Sequence, residues 1–366
     1  MLRINSKKLS AQHGAYSMSL EIRTATPADK AHWNAYTHAH PDACAYHNFA
    51  WVESVEQAYD HPSTSLIAFA DNKVVGVLPI VKMQVPLSGH FYCSLPYCDM
   101  GYAIADNKEI VTALLDKLKE MQSTSNAKKI EYRDTSPASD TPMSEEELHG
   151  KKVSMLLPLP ETSDELLKGF KSKLRSQIRK AEKNGLTYET GNSQKLIDKF
   201  YQVFIHNMRK LGSPVHSKAW YDALLKNYQN DLLVSVVYTE TTAIGAGIVL
   251  RNGEKACIPW ASTLADYNRL APNMLLYWSL LQTVTDAGAR EFDFGRSTYG
   301  EGTFKFKLQW GAQPRPLNWF LPGEQPPAVE NSSPGKLRTL VEQTWPKLPI
   351  GVTTWVGPKI RKYISL

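Results

Sequence analysis

The sequence predicts an α+β protein made of two similar units, each a mixed β-sheet flanked by helices. Two observations predict this architecture. One pattern of helix, strand, turn and strand occurs twice along the chain, and in each copy hairpins alternate with amphipathic helices that can cross over a sheet. The length of 366 residues is also more than one ordinary domain uses, which favours two domains.

The internal repeat begins at Phe49 and again at Lys218. The first copy reads FAWVESVEQAYDHPSTSLIAFADNKVVGVLPIV and the second reads KAWYDALLKNYQNDLLVSVVYTETTAIGAGIVL. One offset of 169 residues (220 − 51) relates three pairs of residues in these copies: Trp51 and Trp220, Tyr59 and Tyr228, Gly76 and Gly245. Three matches in one register indicate a duplication.

The flanking segments extend the repeat. LEIRTATPADKAHW and LTYETGNSQKLIDKF each read as a short strand, a polar turn and a helix. AKKIEYRD, from Ala127, and AREFDFGR, from Ala289, each place a short alternating strand after an amphipathic helix. The first unit is therefore predicted to span residues 19–157, and the second residues 186–325.

Three segments lie outside the two units. Residues 1–18 carry basic residues but no apolar region typical of a secretory signal, and we expect them to be poorly ordered. Residues 158–185 are predicted to be a linker with a basic helix, which begins after two prolines and ends at a glycine. Residues 326–366 combine a proline-rich linker with a basic C-terminal segment that contains Trp345 and Trp355.

The basic C-terminal segment has two interpretations. Either it packs on the body of the protein with its charges solvated, or its tryptophans and cations rest on an anionic membrane. Three prolines within residues 346–358 argue against one continuous amphipathic helix.

Charge and cysteine content narrow the class of protein. A net charge of +6 and a pI near 8.9 favour anionic partners such as phosphates, nucleotide sugars, RNA or a membrane surface. The four cysteines show no zinc spacing, which indicates free thiols in a reducing compartment. No run of about 18 apolar residues predicts a membrane-spanning helix, so we expect a cytoplasmic location.

The segment KGFKSKLRSQIRKAEKNG is predicted to be a basic amphipathic helix. Phe170, Leu174 and Ile178 recur on one helical face, and Arg175 and Arg179 share another. Like charges at this spacing destabilise an isolated helix by a few tenths of a kcal/mol per pair, and an anion lying along them would relieve that. The helix is either a solvated surface helix or a clamp for phosphate, to which arginine offers bidentate geometry.

The stretch FDFGRSTYGEGTFKFKLQWG sets charges among aromatic residues. In TFKFKLQWG the apolar residues alternate with polar ones, which predicts a strand with one apolar face. Asp293, Lys305 and Lys307 would then face a shared groove on neighbouring strands, where a lysine could stabilise an oxyanion. The alternative is that both lysines face solvent on an edge strand and deter aggregation.

Several motifs resemble one known family. They are KLRSQIRKAEKNGL, HNMRKLGSPVHSKAW, APNMLLYW, FDFGRS and FKLQWGAQP, with AHPDACAYHNFAW and VVGVLPIV in the first unit. In this order and over nearly the whole chain, they resemble the FemAB-type transferases, which are built from tandem GNAT-like domains. Within that family, the sequence most resembles the branch associated with exosortase/PEP-CTERM exopolysaccharide gene clusters.

The resemblance implies transfer of an acyl or aminoacyl group to an amine, in a catalytic second domain. The family's motif lysine falls on Lys307, where it is placed to stabilise the oxyanion of the transferring carbonyl, and Asp293 is a candidate for orienting the amine or Lys307. The matching motifs also contain the candidate substrate-binding residues, which are Arg175, Arg179, Arg209, Arg296, Ser297, Phe306, Asn273 and Tyr277.

Two departures from the family pattern concern the donor substrate. The short basic helix stands in place of the long helical arm thought to meet tRNA, which argues against a charged tRNA donor. Pro272 and Met274 stand where acyl-CoA enzymes have a glycine-rich pyrophosphate loop, and a proline nitrogen has no N–H to give a phosphate. The donor therefore stays open between aminoacyl-tRNA and an acyl thioester.

The leading hypothesis is a FemAB-like N-acyltransferase or aminoacyltransferase with no tightly bound cofactor and no metal. Its acceptor would be an amine of a nucleotide- or lipid-linked sugar or peptide precursor of the cell envelope or an exopolysaccharide. We expect no DNA partner, and a location in the cytoplasm with the basic C-terminus peripheral to the inner membrane. The alternatives are an acyl-CoA-dependent N-acetyltransferase with a divergent loop, a non-catalytic binding protein of the polysaccharide machinery, and a nucleic-acid-binding protein.

Overall fold

The computed structural model describes residues 20–135, 144–324 and 342–366. The prediction for residues 1–18 and most of that for the proline-rich linker lie outside this part of the chain.

The helices come from amphipathic segments, most of which begin at a polar N-cap. Ser193 and Ser217, for example, accept hydrogen bonds from backbone N–H groups of the first turns that follow them. The described α-helices are α1 (Lys30–Ala39), α2 (Ala50–Tyr59), α3 (Lys108–Ser125), α4 (Glu145–Leu148), α5 (Ser163–Gly169), α6 (Ser172–Lys183), α7 (Gln194–Lys210), α8 (Lys218–Tyr228), α9 (Pro272–Asp286), α10 (Gly302–Leu308) and α11 (Ile350–Arg361).

The strands are short in the first unit and longer in the second. They are β1 (Leu20–Thr24), β2 (Leu66–Ala70), β3 (Lys73–Leu78), β4 (Val81–Val85), β5 (Gly89–Cys93), β6 (Ile104–Ala105), β7 (Ile130–Glu131), β8 (Asp134–Thr135), β9 (Lys152–Pro158), β10 (Leu186–Gly191), β11 (Leu232–Thr239), β12 (Thr242–Asn252), β13 (Lys255–Thr263), β14 (Glu291–Thr298) and β15 (Gln313–Asn318).

The strands form three mixed or antiparallel sheets with helices on their faces, which confirms the predicted α+β class. The first unit holds the sheets β1-β2-β3-β6 and β4-β5-β7, and the second is built on β10-β11-β12-β13-β14-β9-β15-β8. One core joins the first unit to α7 and α8, and a second core lies under α5, α6, α9 and α10. The large sheet thus separates the two cores.

The repeat found in the sequence is visible in the strands. In the hairpin β2–β3, Val75 is an extra residue, because Ala68 pairs with Gly76 and the next pair is Phe69 with Val74. In β11–β12 the same bulge occurs 169 residues later, where Ile244 is the extra residue. Equivalent bulges at equivalent positions support the duplication.

The two units pack against each other through their equivalent helices. Helices α2 and α8 are in contact, and the rings of Trp51 and Trp220 lie 5.2 Å apart, edge to face. Both tryptophans are fully buried. The residues that revealed the repeat therefore form the centre of the interface between its copies.

Strand β9 departs from the predicted arrangement of the units. It comes from the end of the segment that we placed in the first unit, but it lies between β14 and β15 in the large sheet. Its pairing is antiparallel to both strands. The first unit thus contributes a central strand to the sheet of the second.

The prediction of a strand at TFKFKLQWG is wrong, because residues 302–308 form α10. Phe304, Lys307 and Trp310 are buried, at the spacing of three that a helical face requires. Leu308 is exposed, although in a strand it would share the apolar face with Phe304. Packing of the aromatic rings, which a period-two count cannot represent, decided the structure.

The segment with three prolines is not one continuous helix, as predicted, but it contains a helix that was not predicted. A short 3-10 turn, Trp345–Lys347, is separated from α11 by Leu348 and Pro349. Pro349 occupies the N-cap of α11, where no intrahelical N–H is lost, and Pro358 is accommodated within the last turns. The hydroxyl of Thr354 donates to the carbonyl oxygen of Ile350 at 2.7 Å.

Candidate active site

A fork between β13 and β14 opens the space for the site. The two strands pair in parallel only as far as Cys257 and Asp293. Beyond that point β13 stays paired with β12, and β14 stays paired with β9 past an irregularity between Asp293 and Arg296. The strands therefore part, and the groups between them face a cavity instead of a neighbouring strand.

A cavity of about 420 Å³ occupies this fork. Its walls come from β13, from the β14–α10 region, from α7 and from the loop of the first unit that holds Tyr97 and Asp99. Arg361 and Leu366 of the C-terminal segment complete the lining. A pocket shared by two units and lined by aromatic and charged groups is the common setting of a small-molecule site.

Lys307 is the buried cation of this cavity. It lies on α10 with 8% of its surface exposed. Its Nζ donates to the carbonyl oxygens of Gly295 at 2.8 Å and Arg296 at 2.9 Å. An ammonium group has three N–H donors, so one remains for a ligand in the cavity.

The surroundings of Lys307 tune its charge. Burial lowers the pKa of Lys307 to about 8, while the negative charges of Asp293 and Asp99 act in the opposite direction. A group with this pKa is still mostly protonated at neutral pH. Lys307 can therefore present a positive charge in a largely dehydrated place, where that charge acts most strongly.

Asp293 lies behind the cavity wall. It is buried and accepts hydrogen bonds from the hydroxyl of Ser154 and from the backbone N–H of Gly295, the latter at 2.8 Å. Burial raises the pKa of Asp293 to about 6, and the bond from Ser154 opposes this. No ion pair joins it to Lys307 among the described residues. Through Gly295, whose φ is +74°, it fixes the carbonyl that Lys307 uses.

Arg296 belongs to a polar group at the cavity wall that includes Asp99 of the first unit. The Nε of Arg296 lies 3.5 Å from an oxygen of Asp99, and its guanidinium lies 5.1 Å from the ring centre of Trp319. The indole of Trp319 donates to the backbone carbonyl of Asp99 at 3.0 Å. Sequence reasoning named Arg296 but missed Asp99 and Trp319, which carry no motif.

Four other candidates are Tyr277, Phe306, Ser297 and Asn273. Tyr277 lines the cavity, and its ring lies 5.0 Å from that of Phe306 and 5.6 Å from that of Phe294. Ser297 is buried with its hydroxyl unpartnered, and Asn273 is exposed at the start of α9, where it accepts a hydrogen bond from Thr263. Of these four residues, Tyr277 is the one that lines the cavity.

Three candidate arginines lie away from Lys307. Arg175 donates to the carbonyl oxygens of Lys168 and Phe170. Arg179 is exposed on α6, which packs on α9. Arg209 donates to the carbonyl oxygen of Leu348 at 2.6 Å and so holds the C-terminal segment. None of the three lines the cavity.

Metal binding and membrane spanning find no support in the described residues. No group of three His, Cys, Asp or Glu side chains there could hold a metal ion. No helix in the described ranges is both long and apolar enough to cross a bilayer. All four cysteines are free, and Cys93, Cys98 and Cys257 are buried.

Comparison with known proteins agrees with this geometry. The acetyltransferase (GNAT) domain family matches residues 168–308. The solved structure of FemX superposes with a TM-score of 0.63 at 15% identity, and the match covers 81% of this chain and 94% of FemX. The chain therefore has a GNAT-like fold that is similar to the fold of FemX. Its sheet with a fork between β13 and β14 is the part that the family match covers.

Two further proteins are similar to this chain. The lipid II:glycine glycyltransferase of Staphylococcus aureus is 24% identical over 182 residues, which is 44% of this chain and 42% of that protein. The chain thus spans less than half the length of the curated relatives it matches. The C-terminal domain of a putative lysylphosphatidylglycerol synthetase from Agrobacterium fabrum superposes with a TM-score of 0.50 at 15% identity, over 80% of this chain and 92% of that domain.

Proposed function

We propose that the protein transfers an acyl or aminoacyl group to a primary amine in the cavity at the β13–β14 fork. The observation that carries this proposal is Lys307, a buried cation with two donors fixed on backbone carbonyls and the third left for a ligand. Such a preorganised donor stabilises negative charge that develops in a transition state.

The chemistry needs no covalent enzyme intermediate. The amine nitrogen of the acceptor attacks the carbonyl carbon of the donor, a C–N bond forms, and the carbonyl oxygen becomes an oxyanion beside Lys307. Collapse of this intermediate restores the carbonyl and breaks its bond to the donor's ribose oxygen, which takes up a proton and leaves as a hydroxyl, or to the donor's sulfur, which leaves as a thiolate. The attacking amine loses one proton, for which Asp99 on the cavity wall is the candidate acceptor.

The acceptor that we propose is a precursor of the cell envelope. The name of the Staphylococcus aureus relative states that it acts on lipid II with glycine. For this chain, we propose an amino sugar or peptide amine on a nucleotide- or lipid-linked precursor in the cytoplasm, with the exopolysaccharide branch as the narrower choice. Aminoacyl-tRNA and an acyl thioester are the two donor classes.

An acyl-CoA donor is the second candidate, since the matching family is an acetyltransferase family. The loop before α9 weighs against it. Ala271 has a φ of +62°, and Pro272 follows as the first residue of the helix. The proline removes one backbone N–H at the position where a pyrophosphate would be bound.

A thermal-shift panel separates these donors and acceptors. The purified protein is mixed with acyl-CoAs, with UDP-linked amino sugars and peptide precursors, or with bulk tRNA. A ligand present at one hundred times its Kd stabilises the folded state by about 2.7 kcal/mol. We expect a shift with UDP-linked precursors. A shift with CoA alone would replace the proposal by the second candidate, and no shift with any donor or acceptor would contradict both.

A further inference from the structure

Five of the large apolar side chains that are exposed in the described residues share one region, which we call the α11 surface. The region is formed by α11, by the turn that follows it and by the end of α7. Its exposed apolar members are Leu211, Val352, Trp355, Ile360 and Ile364. Trp355 is 67% exposed and Leu211 is 62% exposed. Contiguous exposed apolar groups of this kind mark an interaction site.

Helix α11 points its apolar face away from the protein. Thr353 and Gly357 are buried, and a Cβ on Gly357 would lie 3.0 Å from the backbone nitrogen of Val215. Trp355, Val352 and Lys359 lie on the far side of the helix, whereas Ile360 is exposed near its end on the side of Gly357. A helix that only covered the protein would show the reverse orientation.

Cations surround these apolar side chains. The Nζ of Lys359 lies 3.5 Å from the ring centre of Trp355, and Lys347 is exposed at the start of the segment. Residues 342–366 contain four Lys or Arg side chains and one acidic side chain, Glu342. An apolar face edged by lysines is complementary to the interface of an anionic bilayer, where the apolar groups enter and the ammonium groups meet phosphates.

A cationic pocket continues the α11 surface toward the first unit. It has a volume of about 450 Å³ and lies between the β4–β5 hairpin and the end of the C-terminal segment, where two cations, Lys82 and Lys362, line it with one acidic residue, Asp60. Leu87, at the tip of that hairpin, is fully exposed. A phosphate headgroup fits the charge of this pocket, with an apolar side chain on either side of it.

The α11 surface reaches the mouth of the candidate active site. Leu211 and Arg361 line both the site cavity and the edge of this surface. We infer that the α11 surface docks on an anionic phospholipid bilayer and so brings the cavity to membrane-borne substrate. This inference rests on the proposed function only for its second half, since docking itself requires no catalysis.

Vesicle co-sedimentation tests the docking. Vesicles of phosphatidylcholine alone are compared with vesicles of phosphatidylcholine and phosphatidylglycerol in equal parts. We expect binding to the mixed vesicles to be at least about tenfold tighter, because each lysine near an anionic surface contributes a severalfold gain in affinity. Trp355→Ser should weaken binding to the mixed vesicles about tenfold, because it removes the most exposed anchor.

Matched controls lie elsewhere on the protein. Tyr188→Ser removes an exposed aromatic residue of β10, and Lys180→Gln removes an exposed cation of α6; both should bind vesicles as the unaltered protein does. Lys359→Gln should weaken binding about fivefold. Equal binding by Trp355→Ser and the unaltered protein would overturn the inference. So would self-association that Trp355→Ser abolishes without any vesicle binding, since a second copy would then cover the face.

The same variants distinguish a loss of membrane docking from a loss of catalysis. Lys307→Ala should bind the mixed vesicles as the unaltered protein does. Trp355→Ser should keep its transfer rate on a soluble precursor and lose rate only on a precursor held in vesicles. Loss of rate on both precursors would contradict a role restricted to the membrane.

Discussion

The two units of the chain contain the same fork and use it differently. In the second unit, parallel pairing ends at Cys257 and Asp293; in the first, it ends at Cys93 and Glu131. When the motifs AKKIEYRD and AREFDFGR are aligned, Glu131 is equivalent to Asp293, and Arg133 is equivalent to Gly295. The duplication thus preserved the point where the strands part.

The contents of the two forks differ at one position. Arg133 is buried, and its guanidinium donates to the carbonyl oxygens of Leu95 at 2.8 Å and Cys98 at 2.6 Å. It fills the first fork with its own side chain. Gly295 has no side chain to put there, and its carbonyl holds Lys307 at the wall of an open cavity. The same fold therefore holds a buried structural side chain in the first unit and a candidate active site in the second.

Replacement of Lys307 should have the largest effect. We expect Lys307→Ala to lower turnover at least about a hundredfold, because one oxyanion donor is lost, while the melting temperature changes little. Steady-state kinetics and a thermal melt measure the two quantities. Lys305→Ala is the matched control, since Lys305 is an exposed lysine of the same helix. A folded Lys307→Ala protein with full activity would contradict the assignment.

Replacement of Arg133 should affect stability instead. Arg133→Ala leaves two buried carbonyl groups without their donor, and we expect a loss of about 3 kcal/mol in the free energy of unfolding. Denaturant titration measures it. Lys129→Ala removes a surface ion pair to Glu131 and a contact with the ring of Phe91 and should cost less than about 1 kcal/mol. A specific activity reduced as much as by Lys307→Ala would show that the first fork is catalytic too.

An alanine at Gly295 tests the backbone of the second fork. An added Cβ would meet only the carbonyl oxygen of Ile258, at an ordinary 3.7 Å, so the strain comes from the φ of +74°. We expect Gly295→Ala to lose about 1 to 2 kcal/mol in the free energy of unfolding and to lower turnover, because the carbonyl that holds Lys307 moves. Gly169→Ala, at an open position without positive φ, is the control. An unchanged turnover would show that activity does not depend on the position of the Gly295 carbonyl that holds Lys307.

The pH dependence of turnover tests the role of Lys307 in the second fork. The pKa of Lys307 is lowered to about 8 by burial, so its cation is lost as the pH rises through that value. We expect turnover on a saturating substrate to fall to about half near pH 8 and to keep falling above it. The residual activity of Lys307→Ala should lack this alkaline limb. A limb that persists in the variant would belong to another group.

The smallest effects should separate the two arginines of α6. Arg175 donates to two backbone carbonyls, so Arg175→Ala should lower stability by about 1 kcal/mol. Arg179 is exposed, so Arg179→Ala should leave stability unchanged and raise the KM for a phosphate-bearing substrate a few fold, through loss of a charge contact. An unchanged KM would leave α6 as a solvated helix.

The repeat made the fold predictable, since Trp51, Trp220 and the two bulged hairpins follow a local pattern that recurs. Lys307 was also identifiable, from its motif. Its surroundings were not identifiable, because Asp99 and Trp319, which contact Arg296 at the cavity wall, come from segments that carry no pattern and that only tertiary packing brings there. Helix α10 was missed because burial of its aromatic rings overrode the period-two spacing. Helix α11 was missed because the nearby prolines suggested an interrupted segment, whereas Thr353 and Gly357 are buried on one face of a helix.

The position of β9 limits how this protein can evolve by recombination. A central strand of the large sheet is encoded with the other half of the gene, between β8 and the basic helix. Neither half of the gene could therefore be transferred alone. Recombination between the halves would remove a central strand from the large sheet in one product and leave that strand without its sheet in the other. After the duplication, the two copies could diverge in sequence but could no longer be exchanged separately.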